Sequence, residues 1–187
     1  MDADSYQACE LCPRRCKARR ASGRAGFCGM TSELRVARSA LHFWEEPPIS
    51  GEAGSGAIFF SGCPLRCVFC QNHEISGEGF GLPVTRSRLS EMMLELEAQG
   101  ALNINLVTAL HYAPDVRQAV FDARAAGLTL PIVCNTSGYE NAEVVRAMAD
   151  VVDVWLPDFK YADPALADSL SAATDYPDVA AAALGAM

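Results

Sequence analysis

Three cysteines at the exit of a buried strand constrain this chain more than any other feature. Ile58-Phe59-Phe60 is apolar throughout, and Gly62 ends the run. A short apolar run bounded by a turn residue reads as a strand covered on both faces. Cys63, Cys67 and Cys70 follow at a C-x3-C-x2-C spacing on the loop that leaves it. Cysteine thiolates hold iron–sulfur clusters, and a cubane has four irons to ligate. Three close thiolates would fix three irons and leave the fourth open. An open position is what separates a catalytic metal site from a closed structural one. A zinc knuckle or a disulfide loop is the alternative, but the stretch lacks the fourth local ligand that such a site needs.

The remaining composition narrows the function classes. A length of 187 residues suits one domain with a small appendage, and a 50% hydrophobic content is enough to bury a core. The net charge of −8 argues against nucleic-acid binding, which needs a basic surface. No apolar run approaches the roughly 18 residues of a membrane span. The start, Met1-Asp2-Ala3-Asp4, lacks the basic and apolar parts of a signal peptide. Eight cysteines without an export signal point to metal ligation in a reducing, cytoplasmic setting.

Residues 1–30 carry a second cysteine group. Cys9, Cys12, Cys16 and Cys28 are spaced C-x2-C-x3-C-x11-C, and four thiolates can close around one zinc ion or a second iron–sulfur cluster. Spacing alone leaves the choice open. Because all four ligands come from the protein, a structural or electron-relay role is favoured over catalysis. The segment is also basic, with Arg14, Arg15, Lys17, Arg19, Arg20 and Arg24. Such a run is either a solvated face or a docking patch for an acidic electron donor, such as a flavodoxin or ferredoxin.

Residues 31–56 read as a linker with a short strand at 33–40 and a loop in which Pro47 and Pro48 exclude a helix interior. Residues 77–83, with three glycines and a proline, read as a mobile loop. From Ser87 an α/β rhythm sets in. Helices are expected at 87–99, 115–126 and 141–149, from 163, and at 178–187; strands are expected at 103–108, 130–134 and 151–156. Strands separated by helices give a parallel sheet with right-handed crossovers, and ligands collect at the carboxyl ends of its strands. The fold class is therefore α/β, over residues 57–187. Cys134, inside a strand, reads as a buried small hydrophobe.

The stretch Ile58–Asn72 resembles the signature of the radical S-adenosylmethionine (SAM) enzymes. The resemblance implies a partial barrel of parallel strands, a 4Fe–4S cluster on Cys63, Cys67 and Cys70, and SAM on the open iron. One-electron cleavage of SAM would then yield a 5′-deoxyadenosyl radical that abstracts hydrogen from a substrate. Phe69 sits where the family has an aromatic residue near the adenine.

The element His42-x-x-Glu45-Glu46-Pro47-Pro48-Ile49-Ser50-Gly51 is similar to the branch related to pyruvate formate-lyase activating enzyme, with His42 and Glu45 as candidates to line the substrate side. In that branch Asn135 and Ser137 would lie near the cofactor ribose and carboxylate, and Asp158 and Lys160 would face the cofactor or a partner peptide. The Gly-Gly-Glu-Pro-like stretch of the wider superfamily is absent here, and Thr108 and His111 stand in its place. His73 is not expected as a fourth ligand, since it would block the cofactor. The family barrel has six strand–helix units and four are counted here, so the chain reads as missing its C-terminal units. A true activating enzyme acts on a glycine loop of a partner protein, which makes a protein substrate one expectation. The competing class is a non-enzymatic iron–sulfur or zinc protein, an electron carrier or a structural module.

Overall fold

The computed structural model describes residues 3–187; Met1 and Asp2, part of the acidic start noted above, lie outside the described residues. One sheet organises the molecule. Its strands are β1 (Arg35–His42), β2 (Ser55–Phe60), β3 (Leu82–Pro83), β4 (Ile104–Val107), β5 (Ile132–Thr136) and β6 (Val154–Pro157), in the order β3-β1-β2-β4-β5-β6. β2, β4, β5 and β6 run parallel, and β1 is antiparallel to both β2 and β3. This is the α/β partial barrel with a cysteine-rich N-terminal segment that the sequence pattern implies.

The helices are α1 (Pro47–Ser50), α2 (His73–Ser76), α3 (Arg86–Ala98), α4 (Ala113–Ala125), α5 (Ala142–Met148), α6 (Pro164–Ser171) and α7 (Tyr176–Leu184). Local chemistry sets several starts. Thr85, Asn141 and Asp163 each accept a backbone N–H of the first turn of α3, α5 and α6, satisfying donors that have no partner inside the helix. Pro47 and Pro48 do begin a single helical turn, which the expectation of a plain loop missed; proline is tolerated there because a first-turn N–H is unpaired anyway.

Strand alternation separates two faces. Ile58, Phe60, Ile104, Leu106, Ile132 and Cys134 pack against Leu89, Met93 and Leu96 of α3, Val116 and Val120 of α4, and Val145 and Met148 of α5. Each of these side chains is at most 1% exposed, and each large one contributes about 1.5–3 kcal/mol by leaving water. Cys134 is thus the small core residue expected. The opposite face, with Phe59, Val107, Asn135 and Leu156, lines a cavity.

The N-terminal segment does not stand apart: Tyr6, Cys9, Leu11, Cys28 and Met30 join the same core. Where a mobile loop was expected over 77–83, Leu82 and Pro83 pair with Val36 and Arg35 at the sheet edge. Two residues in a glycine-rich stretch are too few to show a strand period.

A second, smaller core forms around Leu65 and Cys67 with Tyr139, Tyr161 and Tyr176. Gly62 joins the two cores. Its φ is +80°, and a Cβ there would lie 2.4 Å from Met30 Cγ and 2.6 Å from the Cys28 carbonyl oxygen. Gly62→Ala should destabilise the protein by about 1–3 kcal/mol, from left-handed strain and overpacking. Thermal unfolding checks this, with a Tm several degrees lower expected.

Candidate active site

A cavity of about 810 Å³ opens at the carboxyl ends of the parallel strands. Cys63, Cys67, Phe69 and Cys70 reach it from the loop after β2, and Thr108 from the end of β4. Asn135 and Ser137 come from β5 and its exit, Asp158 and Lys160 from the exit of β6. His42 and Glu45 also line it, from the segment after β1.

The cysteine loop is shaped by its backbone. Gly62 and Arg66 take left-handed conformations, turning the chain so that the Leu65 and Arg66 N–H groups point at Cys63 Sγ. Burial pushes the Cys63 thiol up to about 11, while these two N–H groups act the other way. Val68 N–H donates to the Leu170 carbonyl at 2.9 Å. The Arg14 guanidinium ties Pro64 and Leu65 to the carbonyls of Ser171, the last residue of α6, and Ala172, its C-cap, a cation at a helix C-terminus. Phe69 stays 56% exposed at the cavity edge, edge-on to Tyr161 at 6.2 Å between centroids.

Tyr176 fixes the other wall. Its buried hydroxyl accepts the Lys160 N–H at 2.7 Å and lies 2.7 and 2.9 Å from the Ser137 and Asp158 carbonyl oxygens. One side chain thereby holds the exits of β5 and β6 together. Lys160 Nζ pairs with Asp158 at 2.6 Å within this wall.

Glu45 crosses the inside of the sheet. Its Oε2 accepts the Asn105 amide at 2.8 Å and the Asn135 amide at 3.1 Å. The donor of Asn135 is therefore turned toward Glu45. Asn105 was not singled out from sequence; it is fully buried, and among the described residues its Oδ1 has no hydrogen-bond partner. Its sign in the sequence was an amide inside an otherwise apolar strand. Thr108 lines the cavity with φ +58°, whereas His111 is buried behind it, holding the Ser61 carbonyl at 2.9 Å. Burial beside Arg20 lowers His111 to about 3, so it stays neutral. His73 is exposed and pairs with Glu78.

The N-terminal cysteines lie elsewhere. Cys9, Cys12 and Cys28 are buried, Cys16 is exposed, and none reaches the cavity. The basic run is not one surface patch: Arg20 is 1% exposed, held by the Thr31 and His111 carbonyls and the Tyr6 and Tyr112 rings. Arg14 is spent on the cysteine loop. Arg15, Lys17, Arg19 and Arg24 remain exposed.

A family model described as the radical SAM superfamily matches residues 57–184, more than half of the chain. The chain belongs to the radical SAM superfamily. It is similar to Uncharacterized protein MJ0674 of Methanocaldococcus jannaschii, at 28% identity over 181 residues, covering 93% of this chain and 52% of that protein. The chain thus spans about half the length of the curated relative it matches. No solved structure matches it.

Membership implies a 4Fe–4S cluster and SAM as cofactors. The residues present fit such a cluster. Three thiols share one cavity wall, and amide N–H groups aim at one sulfur, where they favour the thiolate that iron requires. Among the described residues no three Cys, His, Asp or Glu side chains are gathered for a single ion. A cubane asks less, since its irons occupy separate corners. Among the described residues no helix is long and apolar enough to cross a membrane.

Glu140 escaped the sequence reading because it follows a turn and looks like an ordinary surface acid. It is 4% exposed, and its carboxylate accepts the Thr136 hydroxyl. Burial pushes it up to about 7 from 4.5, with Thr136 opposing. The folded state therefore holds a proton that the unfolded chain releases between about pH 4.5 and 7. Glu140's stabilisation is complete below that window and is lost as pH rises through about 7, a few kcal/mol in all. Denaturation midpoints measured from pH 5 to 8 should fall less steeply in Glu140→Gln than in the wild type.

Proposed function

We propose that this chain is a radical SAM enzyme of the branch related to pyruvate formate-lyase activating enzyme. Cys63, Cys67 and Cys70 hold its cluster and leave one iron to SAM. The observation that carries this reading is the gathering of three thiols and the polar exits of β5 and β6 around one cavity. When bound, the cluster supplies the electron that breaks the sulfonium C–S bond. Cys63, Cys67 and Cys70 would hold the cluster, and the cavity would hold the substrate C–H bond that gives up a hydrogen atom.

The chain's own groups position the reactants. Phe69 offers an apolar face at the cavity edge for the adenine. Ser137 offers a hydroxyl to the ribose or carboxylate, and Asn135 keeps its carbonyl oxygen as an acceptor while its N–H is held by Glu45. Lys160 meets the methionine carboxylate, sharing its charge between that group and Asp158. Tyr176 keeps these groups in register through the backbone.

A protein substrate, as for a glycyl-radical-enzyme activase, is supported by the cavity's apolar rim, where Trp44 is 90% and Phe69 56% exposed. The exposed Arg15, Lys17, Arg19 and Arg24 suit an acidic electron donor such as a flavodoxin or ferredoxin.

The test is anaerobic. Protein reconstituted with iron and sulfide, reduced by dithionite and given SAM should form 5′-deoxyadenosine. Alanine at Cys63, Cys67 or Cys70 should abolish the product, while Cys134→Ala, in the core away from the cavity, keeps the wild-type yield per cluster. Equal yields from all four variants would remove the reading.

A further inference from the structure

We propose that Cys9, Cys12, Cys16 and Cys28 hold a second iron–sulfur cluster, charge-balanced by buried Arg20 and packed against the loop that carries Cys63. Nothing in this inference depends on the radical SAM assignment.

The backbone is wound around these sulfurs. The Arg14 N–H points at Cys12 Sγ and the Met30 N–H at Cys28 Sγ, in each case the amide two residues beyond the cysteine. Leu65 stands in the same relation to Cys63. N–H groups turned toward sulfur are the hydrogen bonds that tune the ligands of a bound metal centre. Reaching this arrangement puts Arg15 at φ 38° and Lys17 at φ 52°, left-handed conformations that are strained for a residue with a side chain. Cys16 and Cys28 converge over Gly26: a Cβ there would lie 3.3 Å from one sulfur and 3.6 Å from the other.

Arg20 supplies the electrostatic argument. It is 1% exposed, and among the described residues its guanidinium pairs with no carboxylate. Its donors meet the Thr31 and His111 carbonyls and Cys9 Sγ, the last at 3.5 Å. A buried cation without an anion is strongly destabilising, because its lost hydration is not replaced. Four neutral thiols leave that cost standing. Four metal-bound thiolates remove it, because a cluster core held by them carries net negative charge beside Arg20.

The kind of metal follows from the spread of the ligands. A zinc ion draws its sulfurs to about 2.3 Å from one centre, and no such gathering occurs among the described residues. The four cysteines of a cluster bind separate irons and need no single shared centre. The two cysteine sets also touch through the backbone. The Cys28 carbonyl and Met30 press on Gly62, Arg14 Nε donates to the Pro64 carbonyl at 2.9 Å, and Arg66 donates to the Phe27 carbonyl at 3.2 Å.

The experiment compares three full-length proteins reconstituted without oxygen: the wild type, the triple variant Cys63→Ala/Cys67→Ala/Cys70→Ala, and the double variant Cys12→Ala/Cys16→Ala. Iron, acid-labile sulfide and zinc are measured per chain, with EPR after reduction. The proposal expects the triple variant to retain half the wild-type iron and sulfide, no zinc, and a reduced-cluster signal. A triple variant that is metal-free, or holds only zinc, overturns it. If the triple variant does not fold, the wild type must hold twice the iron and sulfide of the double variant; equal contents overturn the proposal.

An iron-free double variant beside an iron-loaded triple variant would count against the radical SAM site instead. Arg20→Met in the triple background should move the remaining cluster's midpoint potential to more negative values, with Arg20→Lys restoring it. An unmoved potential would leave Arg20 a packing residue only.

Discussion

The close approach of the Cys28–Met30 turn to Gly62 is the contact on which the rest of the structure depends. It leaves no room for a side chain and requires a left-handed turn at the exit of β2. That turn aims Cys63 into the cavity rather than onward with the strand. The same contact seals the N-terminal segment onto the barrel, so two cysteine groups far apart in sequence become neighbours. Arg14 repeats the connection from the other side, joining the N-terminal segment, the cysteine loop and the end of α6.

The interior between these elements is unusually charged. Arg20 lies behind the N-terminal thiols, and Glu140 lies near enough to raise the thiols of Cys12, Cys63 and Cys134. Among the described residues neither group has a partner of opposite charge in direct contact. In a core otherwise made of Ile, Leu, Val and Ala, such groups persist where they serve something other than packing. Below about pH 7 Glu140 is protonated and adds no charge beside the sulfurs, and Arg20 adds one positive charge where anionic ligation would gather.

Much of this was legible in the sequence because parallel strands are buried on both faces and interrupted by amphipathic helices. Ile58–Phe60, the run 104–107 and the run 132–134 could hardly be anything but inner strands. The site was legible to the extent that it sits at strand ends: Asn135, Ser137, Asp158 and Lys160 all reach the cavity. What stayed hidden depends on long-range register. Glu45 meets Asn105 and Asn135 across 60 and 90 residues, a convergence that no local pattern encodes. Arg20 was misplaced on a surface patch because a basic run looks alike whether solvated or folded inward; its burial is set by Tyr6 and Tyr112, which flank it in space. The edge strand at Leu82–Pro83 was too short to carry a period.

The central claim is that a cubane beside Phe69 keeps one iron for SAM. Electron nuclear double resonance on the reduced, reconstituted protein tests it most directly, using SAM labelled with nitrogen-15 at its amino group. The account predicts a labelled-nitrogen coupling to the cluster, absent without SAM and lost in Cys67→Ala. A cluster spectrum unchanged by saturating SAM would contradict it.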